Sequence, residues 1–214
     1  IYKWGKGENG KYTFVYRTHD NPDPEKLENF SKFAAKFGHK MNVAGDISQS
    51  LNKLMDEITG KPEQNVLEQL AIRSMAKAKY TTEPKGHFGL AFDHYTHFTS
   101  PIRRYPDLIV HRAIKTKLLN KPFKLKDITK IAEHCSGTER TADDATRDVE
   151  SWLKCYFMQD KVGQIFEGTV TGVTGFGLFI ELDEVYIEGL LHVTELGNDY
   201  FTYDKSKHAM IGER

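Results

Sequence analysis

Cysteine is scarce in this chain: there are two in 214 residues, Cys135 and Cys155. Their spacing forms neither a metal pair nor a disulfide framework, so reduced thiols in a cytosolic protein are the expectation. Long apolar runs are lacking too. No segment approaches membrane-spanning length, and no stretch resembles a signal peptide. Low-complexity tracts and long repeats are absent. There is no net charge, because 30 Lys and Arg balance 30 Asp and Glu, and such a sum gives no support to nucleic-acid binding by itself. The sequence opens at Ile1 rather than Met and closes at Ile211-Gly-Glu-Arg214, which suggests a fragment.

The distribution of charge says more than its sum. Between Arg103 and Lys126 stand eight basic residues (Arg103, Arg104, Arg112, Lys115, Lys117, Lys121, Lys124, Lys126) against one acid, Asp107. Between Glu181 and Asp199 there are six acids and no Lys or Arg. A solvated face accounts for such a run as well as a ligand does. Docking of the basic segment on acidic lipid or protein is the weakest reading of it.

Residues 1–19 hold aromatic-rich stretches around Gly5-Lys-Gly-Glu-Asn-Gly10, which read as a hairpin or as a loop before a strand. Asp23-Pro24 predicts a helix start, with Leu27, Phe30, Ala34 and Phe37 on its apolar face and Gly38 at its end. Further helices are expected over 47–58 and about 63–79, the second on Val66, Leu67, Leu70, Ala71, Met75 and Ala78. Residues 80–105 read as loop with short strands, and a helix follows from Pro106 to about Leu119. From Asp127 to Asp160 a single long helix carries Ile128, Ile131, Cys135, Ala142, Ala145, Val149, Trp152 and Tyr156 as a packing seam. At Lys161 the period changes to two, with strands expected near 165–171, 176–182 and 185–191. The fold class is therefore α+β, with domains at 1–160 and 161–214.

The chemistry-bearing stretch runs from Gly86 to Asp107. Pro101 biases Ser100 to an extended backbone, and Pro106 suits the first turn of the next helix. Arg103 and Arg104 thus sit on a stiff linker before a helix N-terminus, whose free N–H groups favour anions. Either both guanidinium groups serve a phosphate, or one pairs with a core carboxylate while the other meets water. Phe88, Phe92, Tyr95, Phe98 and Tyr105 could stack on bases, although most of the five are expected to fill a core. Asp93, His94 and His97 lack the spacing and partners of a zinc site. Asp143, Asp144 and Asp148 read as a solvated helix face.

Gly86-His-Phe-Gly-Leu-Ala91, His97-Phe-Thr-Ser-Pro-Ile-Arg-Arg-Tyr-Pro-Asp-Leu108 and His111-Arg-Ala-Ile114 resemble the hallmark block of the ribonuclease II/ribonuclease R catalytic domain. Tyr16-Arg-Thr-His-Asp-Asn-Pro-Asp-Pro-Glu-Lys26, Ala145-Thr-Arg-Asp-Val149 and Trp152-Leu-Lys-Cys155 extend the match over most of residues 12–160. The Arg-Arg-Tyr-Pro continuation is closer to the ribonuclease R branch. The resemblance implies processive 3′→5′ hydrolysis of single-stranded RNA to nucleoside 5′-monophosphates. It also implies a magnesium cofactor held by aspartates upstream of anything present here, so the 214 residues alone are expected to be inactive. The family's phosphate-contacting arginine falls on Arg103, and Arg104, Tyr95, Ser100, Arg112 and Lys115 are taken as RNA-binding neighbours. Ribosomes or RNA-decay machinery are candidate partners, and a cytoplasmic monomer without membrane contact is expected.

Gly163-Gln-Ile-Phe-Glu-Gly-Thr-Val170, Gly175-Phe-Gly-Leu-Phe-Ile-Glu-Leu182 and Glu188-Gly-Leu-Leu-His-Val-Thr-Glu-Leu196 resemble the OB-fold repeat named after ribosomal protein S-one. That resemblance implies RNA stacking on Phe176, Phe179 and His192. Residues three apart cannot share a face of a straight strand, so a bulge at Gly177 is expected, or else one phenylalanine is core. About three strands are expected, short of the five of an OB barrel. A non-catalytic RNA-binding or scaffold protein on the same fold is the alternative.

Overall fold

The computed structural model describes residues 14–183, 185, 187–204 and 209–213. The expected hairpin or loop over 1–13 lies outside them. Helix and sheet are mixed. The chain divides into two compact units between Asp144 and Ala145.

In the first unit, α1 (Pro24–Lys36) starts where Asp23 accepts hydrogen bonds from the Glu25 and Lys26 amides at 2.9 and 3.2 Å. It stops at Gly38, whose φ of 86° lets the chain turn back while the Gly38 and His39 amides cap Ala35 and Ala34. Asp46 caps α2 (Ile47–Ile58) in the same manner, through the Gln49 amide at 3.0 Å. Leu27, Phe30 and Ala34 of α1 meet Leu51, Leu54 and Ile58 of α2 and Leu67 and Ala71 of α3 (Gln64–Ser74) in one core cluster. Each buried Leu, Ile or Phe there contributes about 1.5–3 kcal/mol. The third helix stops short of residue 79. Met75 turns extended, and Lys79–Thr81 instead form β2, antiparallel to β1 (Tyr16–Thr18). Burial of Tyr80, whose amide donates to Ser136 Oγ at 2.9 Å, outweighs the helical periodicity of Met75 and Ala78.

The other edge of β1 is occupied by the loop that follows β2. The Arg17 amide donates to the Tyr95 carbonyl, Thr96 Oγ1 to the Val15 carbonyl, and the Phe88 amide to the His19 carbonyl. Alternation along the strand sends Phe14 and Tyr16 against Ala113 of α4 (Tyr105–Leu118). Val15 packs with Tyr80, Ile109 and Ala132. The long helix is continuous as α5 (Ile128–Met158), about 46 Å at 1.5 Å per residue. Its expected seam is filled only at the start: Ala132 and Ser136 are buried, whereas Val149, Trp152 and Tyr156 are exposed. Among the described residues no helix is long and apolar enough to cross a membrane.

In the second unit β3 (Gly168–Thr174), β4 (Gly177–Leu182) and β5 (Glu188–His192) form an antiparallel sheet in that order. A separate pair, β6 (Phe201–Asp204) and β7 (Ala209–Gly212), brings the strands to five rather than three. No closed barrel forms among the described residues. β3 and β7 approach without pairing. The bulge falls at Thr171 of β3, where the register slips between Val170 and Gly172, and not at Gly177. Gly177 pairs regularly with Thr174 and His192, and a Cβ there would overlap the Leu191 carbonyl oxygen.

Candidate functional site

The linker before α4 is a tight turn: the Arg103 and Arg104 amides both return to the Ser100 carbonyl, at 3.3 and 3.0 Å. What fixes it is Asp107, at the third position of α4 and 0% exposed. Asp107 Oδ2 accepts from the Ser100 amide at 2.8 Å and from Arg104 Nη2 at 2.9 Å. One carboxylate therefore ties the start of the turn to its end. Arg104 Nε and Asp107 Oδ1 are buried without partners, so the pair is held through a single oxygen rather than as a fork.

The two arginines thereby take different roles. Arg104 is half-buried and its charge is met by Asp107. Arg103 is exposed, and among the described residues its guanidinium has no ion pair or hydrogen bond. Of the two local readings, the geometry is that of one paired and one solvent-facing arginine. The solvent-facing one has its charge free for a ligand.

Behind the turn lies a polar column. Arg17 Nη1 pairs with Glu139 at 2.6 Å and its guanidinium sits 4.7 Å over the Tyr80 ring. The Tyr80 hydroxyl meets His97 Nδ1 at 2.9 Å. Burial, then the Glu139 charge, pushes the Tyr80 phenol up to about 12. Burial first, and then the Arg104 and Arg17 charges, hold the His97 imidazole below its ordinary range, which keeps it neutral.

The expectation that most of the five aromatics fill a core fails. Only Phe88 packs against the helical cluster; Phe92, Phe98 and Tyr105 are exposed. Tyr95 is half-buried, stacked on Phe92 at 5.9 Å and edge-on to His87 and His97. Ser100 acts here through its backbone. Arg112 and Lys115 are exposed on α4. With Asp107 buried, the exposed charged residues of that helix, Arg112 and Lys115, are both basic.

In the second unit Phe176 lies in the turn before β4, not on a strand, so the spacing rule does not apply to it. It meets Phe179 edge-on at 6.1 Å. Phe179, Leu190 and His192 share one face by register, and Glu181 pairs with Glu188 at its far end. The three expected residues are thus gathered at one end of a face that turns acidic at the other.

Sequence reasoning missed the roles of Asp107, of the Arg17–Glu139–Tyr80–His97 column, and of the Phe98–His111 contact. Asp107 had a signal: an acid at the third helical position can reach back over the preceding turn. The others join residues far apart in sequence and had none. Two clefts of about 490 and 500 Å³ meet at His19 and Phe88, and Arg103 lines neither. Among the described residues no three His, Cys, Asp or Glu converge to hold a metal ion.

With this geometry in place, the RNB domain matches residues 5–120. The chain belongs to the RNB family. The S1 RNA binding domain matches residues 159–214. Ribonuclease R 1 of Lactococcus lactis is 46% identical over 209 residues, covering 94% of this chain and 26% of the relative. Ribonuclease R of Buchnera aphidicola (from Schizaphis graminum) is 42% identical over 212 residues, covering 95% and 29%. This RNB chain thus spans less than a third of the curated relatives it matches. Among solved structures, Mycoplasma genitalium RNase R in complex with ribose methylated single-stranded RNA superposes with a TM-score of 0.85. It is 29% identical, and the match covers 96% of this chain and 34% of that one.

Proposed function

We propose that this RNB chain is part of a processive 3′→5′ exoribonuclease of the ribonuclease R kind, and that Arg103 contacts the phosphate being hydrolysed. The observation that carries the reading is an exposed, unpaired arginine on a turn locked by a buried carboxylate. In the reaction, water bonds to phosphorus and the 3′-oxygen of the penultimate nucleotide leaves, releasing a nucleoside 5′-monophosphate. Charge builds on the equatorial phosphate oxygens, and a guanidinium already in position stabilises it without reorganising. Arg104 and Ser100 keep the turn in place. Tyr95, Arg112 and Lys115 face the strand, and Phe176, Phe179 and His192 form a small stacking patch in the second part, which begins near residue 161. Acids at the far end of that face keep its RNA contact narrow.

Magnesium would activate the water and steady the leaving oxygen. The described residues supply no cluster fit to hold it, so in this reading its ligands lie elsewhere. The expected setting is the cytoplasm, with ribosomes or RNA-decay machinery nearby and no obligatory oligomer.

A direct test uses an active enzyme containing these residues and RNA labelled at its 5′ end. Stepwise shortening that a blocked 3′ end prevents is the expected result. Internal cuts in circular RNA would overturn the exonuclease reading. Tight binding without any cleavage would favour a non-catalytic RNA-binding protein.

A further inference from the structure

Phe98 and His111 form a parallel ring pair, with centroids 4.2 Å apart and planes within 3°. The pair is clamped as well as stacked, because His111 Nε2 lies 2.8 Å from the Phe98 carbonyl oxygen. A carbonyl can only accept, so Nε2 carries the proton. The backbone of Phe98 therefore fixes the imidazole that backs its own ring. Phe98 nevertheless remains 44% exposed. With one face covered by imidazole, what the ring shows to solvent lies at its edge and on the side away from His111. Among the described residues no second ring stacks on it.

The surroundings favour a nucleic acid over a peptide. Thr99 and Ser100 follow Phe98, and the turn carrying Arg103 comes next. Arg112 adjoins His111, and Lys115 lies one helical turn beyond it, on the same side of α4. The only acid of that helix is buried and held by Arg104. An open aromatic face beside cations with no exposed acid on their helix is the arrangement by which single-strand binders hold bases and track phosphates.

We propose that the open face of Phe98, backed by His111, seats one base of a single-stranded RNA whose phosphates pass Arg112 and Lys115. Stacking reads the π-face and not the base edge, so the seat takes any of the four bases. The proposal rests on the RNA-binding reading above and adds a specific base contact to it.

The test measures binding of the 214-residue chain to a single-stranded oligoribonucleotide carrying 2-aminopurine, and to an abasic oligomer of equal length. Phe98→Leu keeps the apolar bulk and removes the π-face; Phe98→Trp enlarges that face. The expected results are quenching of 2-aminopurine by the unaltered chain and weaker binding of the base-bearing RNA by Phe98→Leu. That loss should be about 5- to 150-fold. Affinity for the abasic oligomer should be unchanged, and Phe98→Trp should bind at least as tightly as the parent. If the parent binds RNA while folded Phe98→Leu, checked by circular dichroism, matches it on both oligomers, the seat is wrong and the RNA reading stands. Equal losses on both oligomers would also overturn the seat, since the variant would then have disturbed the phosphate contacts. If Phe98→Leu does not fold, Phe98→Trp and the 2-aminopurine signal of the unaltered chain decide. A parent chain that binds neither oligomer overturns the seat, while the exonuclease reading is decided separately by the cleavage test above.

Discussion

Asp107 shows how one buried side chain can set the geometry of an exposed one. Its Oδ2 accepts from the Ser100 amide and from Arg104, so both ends of the arginine turn hang on one buried oxygen. Asp107→Asn keeps the shape but replaces a charged acceptor with a neutral one, leaving the Arg104 charge poorly met. Removing one partner of a buried pair costs about 3–5 kcal/mol, and the partial exposure of Arg104 places the expected loss at the lower end. Urea unfolding of the 214-residue chain measures it, and a midpoint equal to wild type would show that the turn does not depend on this carboxylate. Tyr80 gives a second residue-scale prediction. Its phenol is pushed up to about 12, so absorbance titration should show one tyrosine ionising well after the exposed ones. Tyr80→Phe should abolish that late step. The sign follows from burial: the fold disfavours the phenolate, so stability present below the ordinary tyrosine range is lost as pH rises through the folded value. If all tyrosines titrate together, the Tyr80–His97 contact is not buried as described.

At the scale of elements, the helices were legible because their signals are local. Asp23-Pro24 at one end and Gly38 at the other bounded α1, and the caps act as the residue types require. The third helix was not, because the strand position of Lys79–Thr81 depends on β1 and on Ser136, more than 50 residues away in either direction. The same limit hid the bulge: Gly177 admits one, but pairing with His192 keeps it regular, and the extra residue is Thr171. The seam of α5 meets the same limit: its apolar spacing runs the length of the helix, yet Val149, Trp152 and Tyr156 are exposed here. Nothing in the pattern of a helix says which part of its stripe is covered. For α4, the uniform exposed charge predicts that RNA affinity falls log-linearly with salt, by about 0.7 per phosphate contact on single strands. Arg112→Glu with Lys115→Glu should lower that slope; an unchanged slope would return the helix to an ordinary solvated face.

For the whole molecule, the sequence motifs identified the family and the candidate arginine. The division of labour between Arg103 and Arg104 became visible only with the burial of Asp107. The role proposed for Arg103 at the reacting phosphate is tested most directly by single-turnover RNA cleavage by Arg103→Lys and Arg104→Lys in an active enzyme containing this chain. Lys keeps the charge but loses the planar fork that meets two oxygens at once. Arg103→Lys should slow the chemical step by about 10²–10³ while equilibrium RNA binding stays close to wild type. Arg104→Lys should lose less rate and more stability. Wild-type cleavage by Arg103→Lys, or a greater loss of rate in Arg104→Lys, would contradict that role.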